Sequence, residues 1–561
     1  MKDQILHGFV EDFRQENNFG DEKEDVVFEH FVNHCLVSKQ YPRDFDLGDL
    51  STGGGNDIGF DGAAFIVNGN IIANEEEVDF LVEKNGSLDV SIILIQTKNS
   101  VKFKGDQVGT LIFGIKSFFN KKPAIPENDQ ISNLRKIKDK IYSKSIYFDS
   151  PPVLKIFFAT RGEWKEPEPI QGRVDFEINE IRAKNIFSSI LFDFYDAEKL
   201  KNIYRELKRK TIKEVHFSKH VALPEIAGVR QSFVGSISAK EYINLISDNE
   251  GGLQKSLFYD NVRDYQGSNP VNTEIENTIK SASKQAALCI LNNGITIIAK
   301  KVEPVGEKMK LTDFQIVNGC QSSHVIFDNR AIFNDGTNIV IKVIETTDQD
   351  LANSVIKATN RQTEVKLEAF ESLAPFHKDL EEFYRAKSKI ISNPIHYERR
   401  SKQYEGSASI KKWQIVTLAG QIRAYTASQL AQPQSTHRYF GELLESNRSR
   451  MFVQGQNLEV YYLSSLLLNR IEHAFKRQKI RGFYKKFKYQ ILYIAFQILE
   501  KRRSNDKGYA YAVMAEEVAD LKKAIQLFTD ACGVIDSALR NTTLKPYDAA
   551  RSKAFTEEIT L

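Results

Sequence analysis

Cysteine is scarce in this sequence: 561 residues hold four, Cys35, Cys289, Cys320 and Cys532, far apart and never in C-x-x-C spacing. That scarcity excludes a disulfide framework and a cysteine-based zinc site, and it suits a reducing cytoplasm. Long apolar runs are missing too. None approaches the ~20 residues a membrane span requires, and the polar opening Met1-Lys2-Asp3-Gln4 is no secretory signal. Charge of one sign is not in excess: the net charge is +3, so any nucleic-acid surface must be a local patch. No internal repeat or low-complexity tract is present, and no Cys-His or Ser-His-Asp arrangement stands out. What remains is an ordinary globular composition, 41% hydrophobic and 27% charged. The length suits two to four domains, because single cores rarely grow past roughly 250 residues.

The stretch from Gly53 to Lys98 carries the most chemistry. It opens on the glycine-rich turn Gly53-Gly54-Gly55-Asn56-Asp57-Ile58-Gly59-Phe60-Asp61-Gly62 and closes on the apolar strand Ile92-Ile93-Leu94-Ile95-Gln96-Thr97-Lys98. Alternation along a strand sends Gln96 and Lys98 to one face and Thr97 to the other. If the strand after the turn pairs with this one, Asp61, Gln96 and Lys98 meet at one end of the sheet. A carboxylate, an amide oxygen and an ammonium so placed can hold a divalent cation and activate a water beside it. Around them, residues 63–67 and 71–73 read as a hairpin about Asn68-Gly69-Asn70, and 75–83 as an acidic segment with a short helix. Residues 101–119 read as a helix, and 153–160 and 190–195 as strands. Upstream, 21–36 reads as an amphipathic helix whose Glu29 lies close to the apolar stripe, facing either the sheet or water. The order is that of an α/β domain with a central mixed sheet flanked by helices.

Asp57-Ile58-Gly59-Phe60-Asp61-Gly62, a hairpin, then Gln96-Thr97-Lys98 resembles the PD-(D/E)xK nuclease superfamily, in particular its Mrr-like branch, where glutamine replaces the acidic residue of the last motif. The resemblance implies a restriction-endonuclease-like N-terminal domain. Asp61 would be the principal metal ligand, Gln96 a second ligand or water orienter, and Lys98 the group that polarises the attacking water. Glu29 would be the helix glutamate beside the metal, and Asp57 an outer ligand. The sequence departs from the pattern in its long gap from Asp61 to Gln96. Its neutral glutamine also supplies less charge to magnesium than a carboxylate would. Without a cation, Asp61 is a turn-capping aspartate and Lys98 a strand-end surface lysine.

A polar loop over 163–173 and a basic connector over 208–219 lead to an expected boundary near 221–228. Beyond it stand Leu257-Phe258-Tyr259-Asp260-Asn261-Val262-Arg263-Asp264-Tyr265, Leu291-Asn292-Asn293-Gly294-Ile295-Thr296, Val317-Asn318-Gly319-Cys320-Gln321-Ser322-Ser323, Ala358-Thr359-Asn360-Arg361-Gln362-Thr363 and Tyr397-Glu398-Arg399-Arg400. Together these resemble the AIPR family, the abortive infection phage resistance proteins of bacteria, from about Ser232 to at least Tyr439. The resemblance implies an α+β domain and strengthens the nuclease reading, since members often carry a restriction-endonuclease-like N-terminal domain. Backbone N–H groups at the Asn318-Gly319 strand-to-helix junction suit a phosphate. Gln321, Asn360, Arg361 and Gln362 are candidate contacts to the same ligand, although asparagine and glycine are also what plain turns require. Cys320 reads as a small buried hydrophobe.

Past Trp413 the spacing is helical over 415–425, 458–476, 487–500 and 512–527. Between two of these runs, Lys479, Arg481, Lys485 and Lys486 alternate with aromatics, the composition of a backbone-tracking nucleic-acid surface or of a solvated helix face. Arg399 and Arg400 are further candidates for phosphate contact or ion pairing. The expectation is three domains: 1–225 nuclease-like, 226–410 AIPR-like, and 411–561 helical. Functionally, it is a cytoplasmic anti-phage protein that cuts DNA with magnesium (or manganese), as a homodimer. RNA is an open alternative substrate. The rival reading is a non-catalytic binder of nucleic acid or of a nucleotide or phage-derived trigger.

Overall fold

The computed structural model describes every residue except 1, 2, 21, 42, 44, 210, 249, 250, 259–269, 282, 360–370, 373, 400–402, 405, 406, 408 and 507. The chain begins with helices α1 (Gln4–Asn17) and α2 (Glu24–Gln40). Asp3 caps α1 by accepting the N–H groups of Ile5 and Leu6, and Glu24 and Asp25 place negative charge on the positive end of α2. A short helix α3 (Leu47–Leu50) precedes the glycine turn.

Five strands follow: β1 (Gly62–Val67), β2 (Asn70–Ile72), β3 (Val90–Lys98), β4 (Val153–Thr160) and β5 (Ser189–Tyr195), in spatial order β2-β1-β3-β4-β5. β1 is antiparallel to β2 and β3, whereas β3, β4 and β5 run parallel. The β1–β2 turn has Asn68 and Gly69 at positive φ, the geometry a two-residue hairpin demands. The acidic segment does fold as a helix, α4 (Glu76–Asn85), inserted between β2 and β3. Two parallel crossovers follow. One carries α5 (Gly105–Phe118) and α6 (Asp129–Ser143), the other α7 (Glu168–Arg182), and α8 (Ala197–Lys208) closes the unit. Strand alternation sorts the core. Ile92 and Leu94 pack with Val108, Ile112 and Ile137 of α5 and α6, while Ile93 and Ile95 pack with Phe28, Phe31 and Val32 of α2.

Two expectations need correction here. Residues 168–173 belong to α7, with a proline in its first turn, where the missing N–H is harmless. The basic connector contains β6 (Ile212–His216), and β7 (Lys219–Ala222) starts at its last residue; both hydrogen-bond into the second sheet. That sheet has six strands in the order β6-β10-β9-β11-β8-β7, with β8 (Gln231–Ser238), β9 (Ile295–Val305), β10 (Lys308–Asn318) and β11 (Asn338–Glu345). Only β9 and β11 pair in parallel.

The remainder is a parallel pair, β12 (His396–Glu398) with β13 (Ile415–Thr417), set against helices. Leu458–Lys476 and Lys488–Asn505 run through a shared core with Leu466, Phe487, Ile491 and Phe528. The expected helix over 512–527 is two helices, Tyr511–Ala519 and Leu521–Asn541. The break falls at Asp520, whose carboxylate caps the second helix through the Lys522 and Lys523 N–H groups. Among the described residues, no helix is long and apolar enough to cross a membrane.

Candidate active site

The glycine turn is held as a rigid unit before any side chain reaches the site. Asn128, the cap of α6, donates to the carbonyls of Thr52 (2.9 Å) and Gly55 (3.0 Å). Its own N–H reaches the Asn56 carbonyl at 3.0 Å. Thr52 Oγ1 donates to the Phe60 carbonyl at 2.5 Å. Gly59 and Ile58 lie flat on α5: a Cβ on Gly114 would stand 1.7 Å from the Ile58 carbonyl oxygen, so only glycine allows that approach. Ile58 itself is buried at φ 52°, a left-handed conformation that strains a β-branched residue. Asp57 Oδ1 accepts the Gly59 N–H at 2.9 Å, which commits that oxygen to the turn rather than to an outer ligand role.

Asp61 emerges from this turn opposite the polar end of β3. The cross-strand register pairs Gly62 with Ile95, and the Asp61 N–H donates to the Ile95 carbonyl at 2.8 Å. Asp61 Oδ2 accepts the Thr97 N–H at 2.7 Å and stands 3.7 Å from Lys98 Nζ. Gln96 faces the same side as Ile92 and Leu94, and its Oε1 is buried without a hydrogen-bond partner. Asn33 of α2 donates to the Asp61 carbonyl at 3.2 Å, so the main chain is gripped from the other face of the sheet. Asp61, Gln96 and Lys98 are thus gathered at one end of the sheet.

Glu29 approaches from α2, across the sheet from Gln96. It is half-buried, and a Cβ on Gly53 would lie 3.8 Å from its Oε2. Burial pushes its carboxyl up to about 7, and the neighbouring Asp61 charge adds to the shift. Asp61 is raised to about 6 by burial, against the opposing pull of Lys98 and the Thr97 N–H. Two carboxyls lifted together share the single nearby cation Lys98, a set short of positive charge. An oxygen-seeking divalent cation would fit at Asp61 with Gln96 Oε1 beside it; Glu29, expected as a further ligand, comes from the other face of the sheet and acts on that position through its charge. Among the described residues, no three His, Cys, Asp or Glu side chains converge on a metal position. One participant was not legible in the sequence: Asn128, which braces the turn, looks like any helix cap.

The second expected site has a different character. Gly319 adopts φ 94° between β10 and the helix Cys320–Asp328, and a Cβ there would meet Ile295 Cδ1 at 2.8 Å. The polar residues around it bind one another. Asn292 donates to Ser322 Oγ (2.8 Å), Asn272 to Gln321 Oε1 (2.9 Å), and Tyr242 OH meets Ser323 Oγ at 2.6 Å. Asn318 ends β10 half-buried, and Cys320 is buried in the core as expected. Asn360, Arg361 and Gln362 lie outside the described residues, as does Arg400.

The basic candidates divide. Arg399 is corrected: its side chain is 2% exposed and bonded to Glu381 (2.8 Å), Asp350 (3.4 Å) and the Ser372 carbonyl (3.2 Å), so it is not available to nucleic acid. Lys479, Arg481 and Lys485 are exposed, whereas Lys486 pairs with Asp129 at 3.0 Å. Tyr484 and Phe487, read as interleaved aromatics, are buried in the helical core and offer no stacking surface.

Residues 258–546, more than half of the chain, match the family described as AIPR protein. The chain belongs to the AIPR family. The match extends well past Tyr439 into the C-terminal helices and leaves the first sheet, with Asp61, Gln96 and Lys98, outside it. No curated protein and no solved structure matches the chain. AIPR membership is consistent with a part in abortive infection and phage resistance.

Proposed function

We propose that this AIPR protein is a bacterial anti-phage effector whose N-terminal unit is a PD-(D/E)xK-type nuclease that hydrolyses DNA phosphodiesters with magnesium. The observation that carries the reading is the meeting of Asp61, Gln96 and Lys98, with two raised carboxyls and one unpartnered amide oxygen. The strained Ile58 in the adjoining turn and the mixed sheet with helices on both faces support it. Magnesium, when bound, would neutralise charge developing on the phosphoryl oxygens. Asp61, fixed through its main chain and Oδ2, sets the position of the metal-holding edge. Lys98 Nζ, on the same side, orients the attacking water and favours its hydroxide form. Glu29, with its affinity for protons near neutrality, takes up the proton released. RNA remains the alternative substrate, and a homodimer the expected assembly for cutting two strands.

The test is incubation of purified protein with plasmid and with RNA, with and without magnesium, in parallel with Asp61→Ala and Lys98→Ala. The expected result is metal-dependent cleavage that both variants lose. Nucleic-acid binding without cleavage by the wild type in magnesium or manganese would instead establish a non-catalytic binder.

A further inference from the structure

The first sheet unit and the C-terminal helices meet through polar contacts. Asn18 bonds His473 (2.7 Å), Glu76 pairs with His437 (2.8 Å), and Lys488 reaches Asp46 (3.3 Å). Between them lies a cleft of about 1420 Å³. We infer that this cleft is a binding site for a free nucleotide, with the Arg423 guanidinium as the anchor for its phosphate.

Arg423 sits on the helix Leu418–Ser428 and lines the cleft, yet its Nε is buried and makes no hydrogen bond. Among the described residues, no carboxylate comes within ion-pairing distance of it, although Asp46, Asp49 and Glu77 act on it from further away. The residue is partly exposed, and its guanidinium carries a planar fork of donors matched to phosphate. Lys476, also lining the cleft, has no ion pair among the described residues and rests over the Phe19 ring at 5.3 Å. Among the described residues neither cation has a direct ion pair, though Asp49, Glu77 and Asp46 hold Arg423 in its charged form from a distance and Glu472 and Asp46 act likewise on Lys476, whereas Lys488 is taken up by Asp46 and by Glu472 (3.0 Å).

The walls also carry Trp413, Phe483 and Tyr489, which suit stacking on a heteroaromatic ring, and Asp49, which suits its amino donors, while Asp46 is already bonded to Lys488 and the Gly48 N–H. The same carboxylates disfavour a long polyanion. The chemistry selected is therefore a compact molecule with phosphate at one end and a base at the other. Asp46 and Asp49 come from the first unit and Arg423 and Lys476 from the second, so such a ligand would clasp the two together.

The assignment does not rest on the nuclease reading, and its test avoids turnover by using the full-length Lys98→Ala chain without divalent metal. The chain has two tryptophans, Trp164 and Trp413; adding Trp164→Phe makes fluorescence report the cleft. Titration with ATP and GTP is expected to change Trp413 emission and raise the melting temperature, with inorganic phosphate at least tenfold weaker. Arg423→Gln and Arg423→Lys are expected to weaken the nucleotide at least tenfold while ligand-free circular dichroism is retained. Should either variant fail to fold, the Trp413 response of the parent chain and its phosphate comparison still decide the matter. No response up to about 1 mM nucleotide, the range of a weak ligand, overturns the inference. So do undiminished binding by folded Arg423 variants, equal affinity for phosphate, and competition by a single-stranded DNA oligonucleotide, which would make the cleft a strand path.

Discussion

Two glycine turns in this protein resemble each other in sequence and differ in what their polar atoms do. At the Gly53–Gly62 turn, main-chain groups are tied down by Asn128, Thr52 and Asn33, while Gln96 Oε1 is left without a donor and Glu29 is crowded beside the Asp61–Lys98 pair. At the Asn318-Gly319 turn, Asn292, Gln321, Ser322 and Ser323 spend their hydrogen bonds on the fold itself. The lesson is that a turn rich in Asn, Gly and Ser becomes a candidate site only when tertiary packing leaves donors or acceptors unmatched.

The sharpest way to break this comparison is to substitute equivalent polar groups at both turns. Gln96→Ala is expected to reduce magnesium-dependent cleavage by about a hundredfold, as for loss of one preorganised polar group, whereas Asn292→Ala leaves the rate unchanged within about twofold. Equal losses at both turns would show that the contrast has no catalytic meaning. Next in size is Arg399→Ala. It leaves the largely buried Glu381 without its guanidinium partner and is expected to cost about 3 kcal/mol in denaturant unfolding, with Asp350 still paired to Lys378 and no change in the salt dependence of DNA binding.

A third test uses pH. The folded Glu29 and Asp61 carboxyls lie near 7 and 6, above their unfolded values, so the native state holds more protons between about pH 4 and pH 7. Their contribution to stability is present below the unfolded values and lost as pH rises through the folded ones. Glu29→Gln removes that loss and is expected to raise the melting temperature at pH 8 in chelator by about 2 °C. The gain should vanish at pH 4, and magnesium should stabilise the wild type more than the variant. A wild type more stable than Glu29→Gln at pH 8 in chelator would refute the charge deficit. The smallest expected effect is the Asn292→Ala stability change, about 1 kcal/mol for the lost Ser322 hydrogen bond.

Much of the first unit was legible in the order of residues. Period-two alternation in Ile92–Lys98 and the positive-φ pair Asn68-Gly69 are local signals, and local signals survive folding. The helix 168–182 was missed because its polar first turn and Pro169 look like a loop until α5 is there to bury Val174, Ile178 and Ile181. Arg399 was left between phosphate contact and ion pairing because composition cannot tell a cation facing solvent from one enclosed by Glu381 and Asp350, which lie far off in sequence; the structure decides for the ion pair.

The sequence alone determined which strand ends are polar, where the chain turns, and which chemical groups are available: a carboxylate, an amide and an ammonium at fixed spacing along two strands. Their meeting was decided by the tertiary structure, through the antiparallel register of β1 on β3, with Asn128 bracing the turn that leads into it. Tertiary structure likewise decided that, among the described residues, Gln96 Oε1 stays unmatched while Gln321 is bonded, and that Arg423 Nε is buried without a hydrogen bond. The reason is physical. Strand periodicity and turn geometry follow from neighbours in the chain, whereas desolvation and hydrogen-bond matching depend on whatever segment packs opposite.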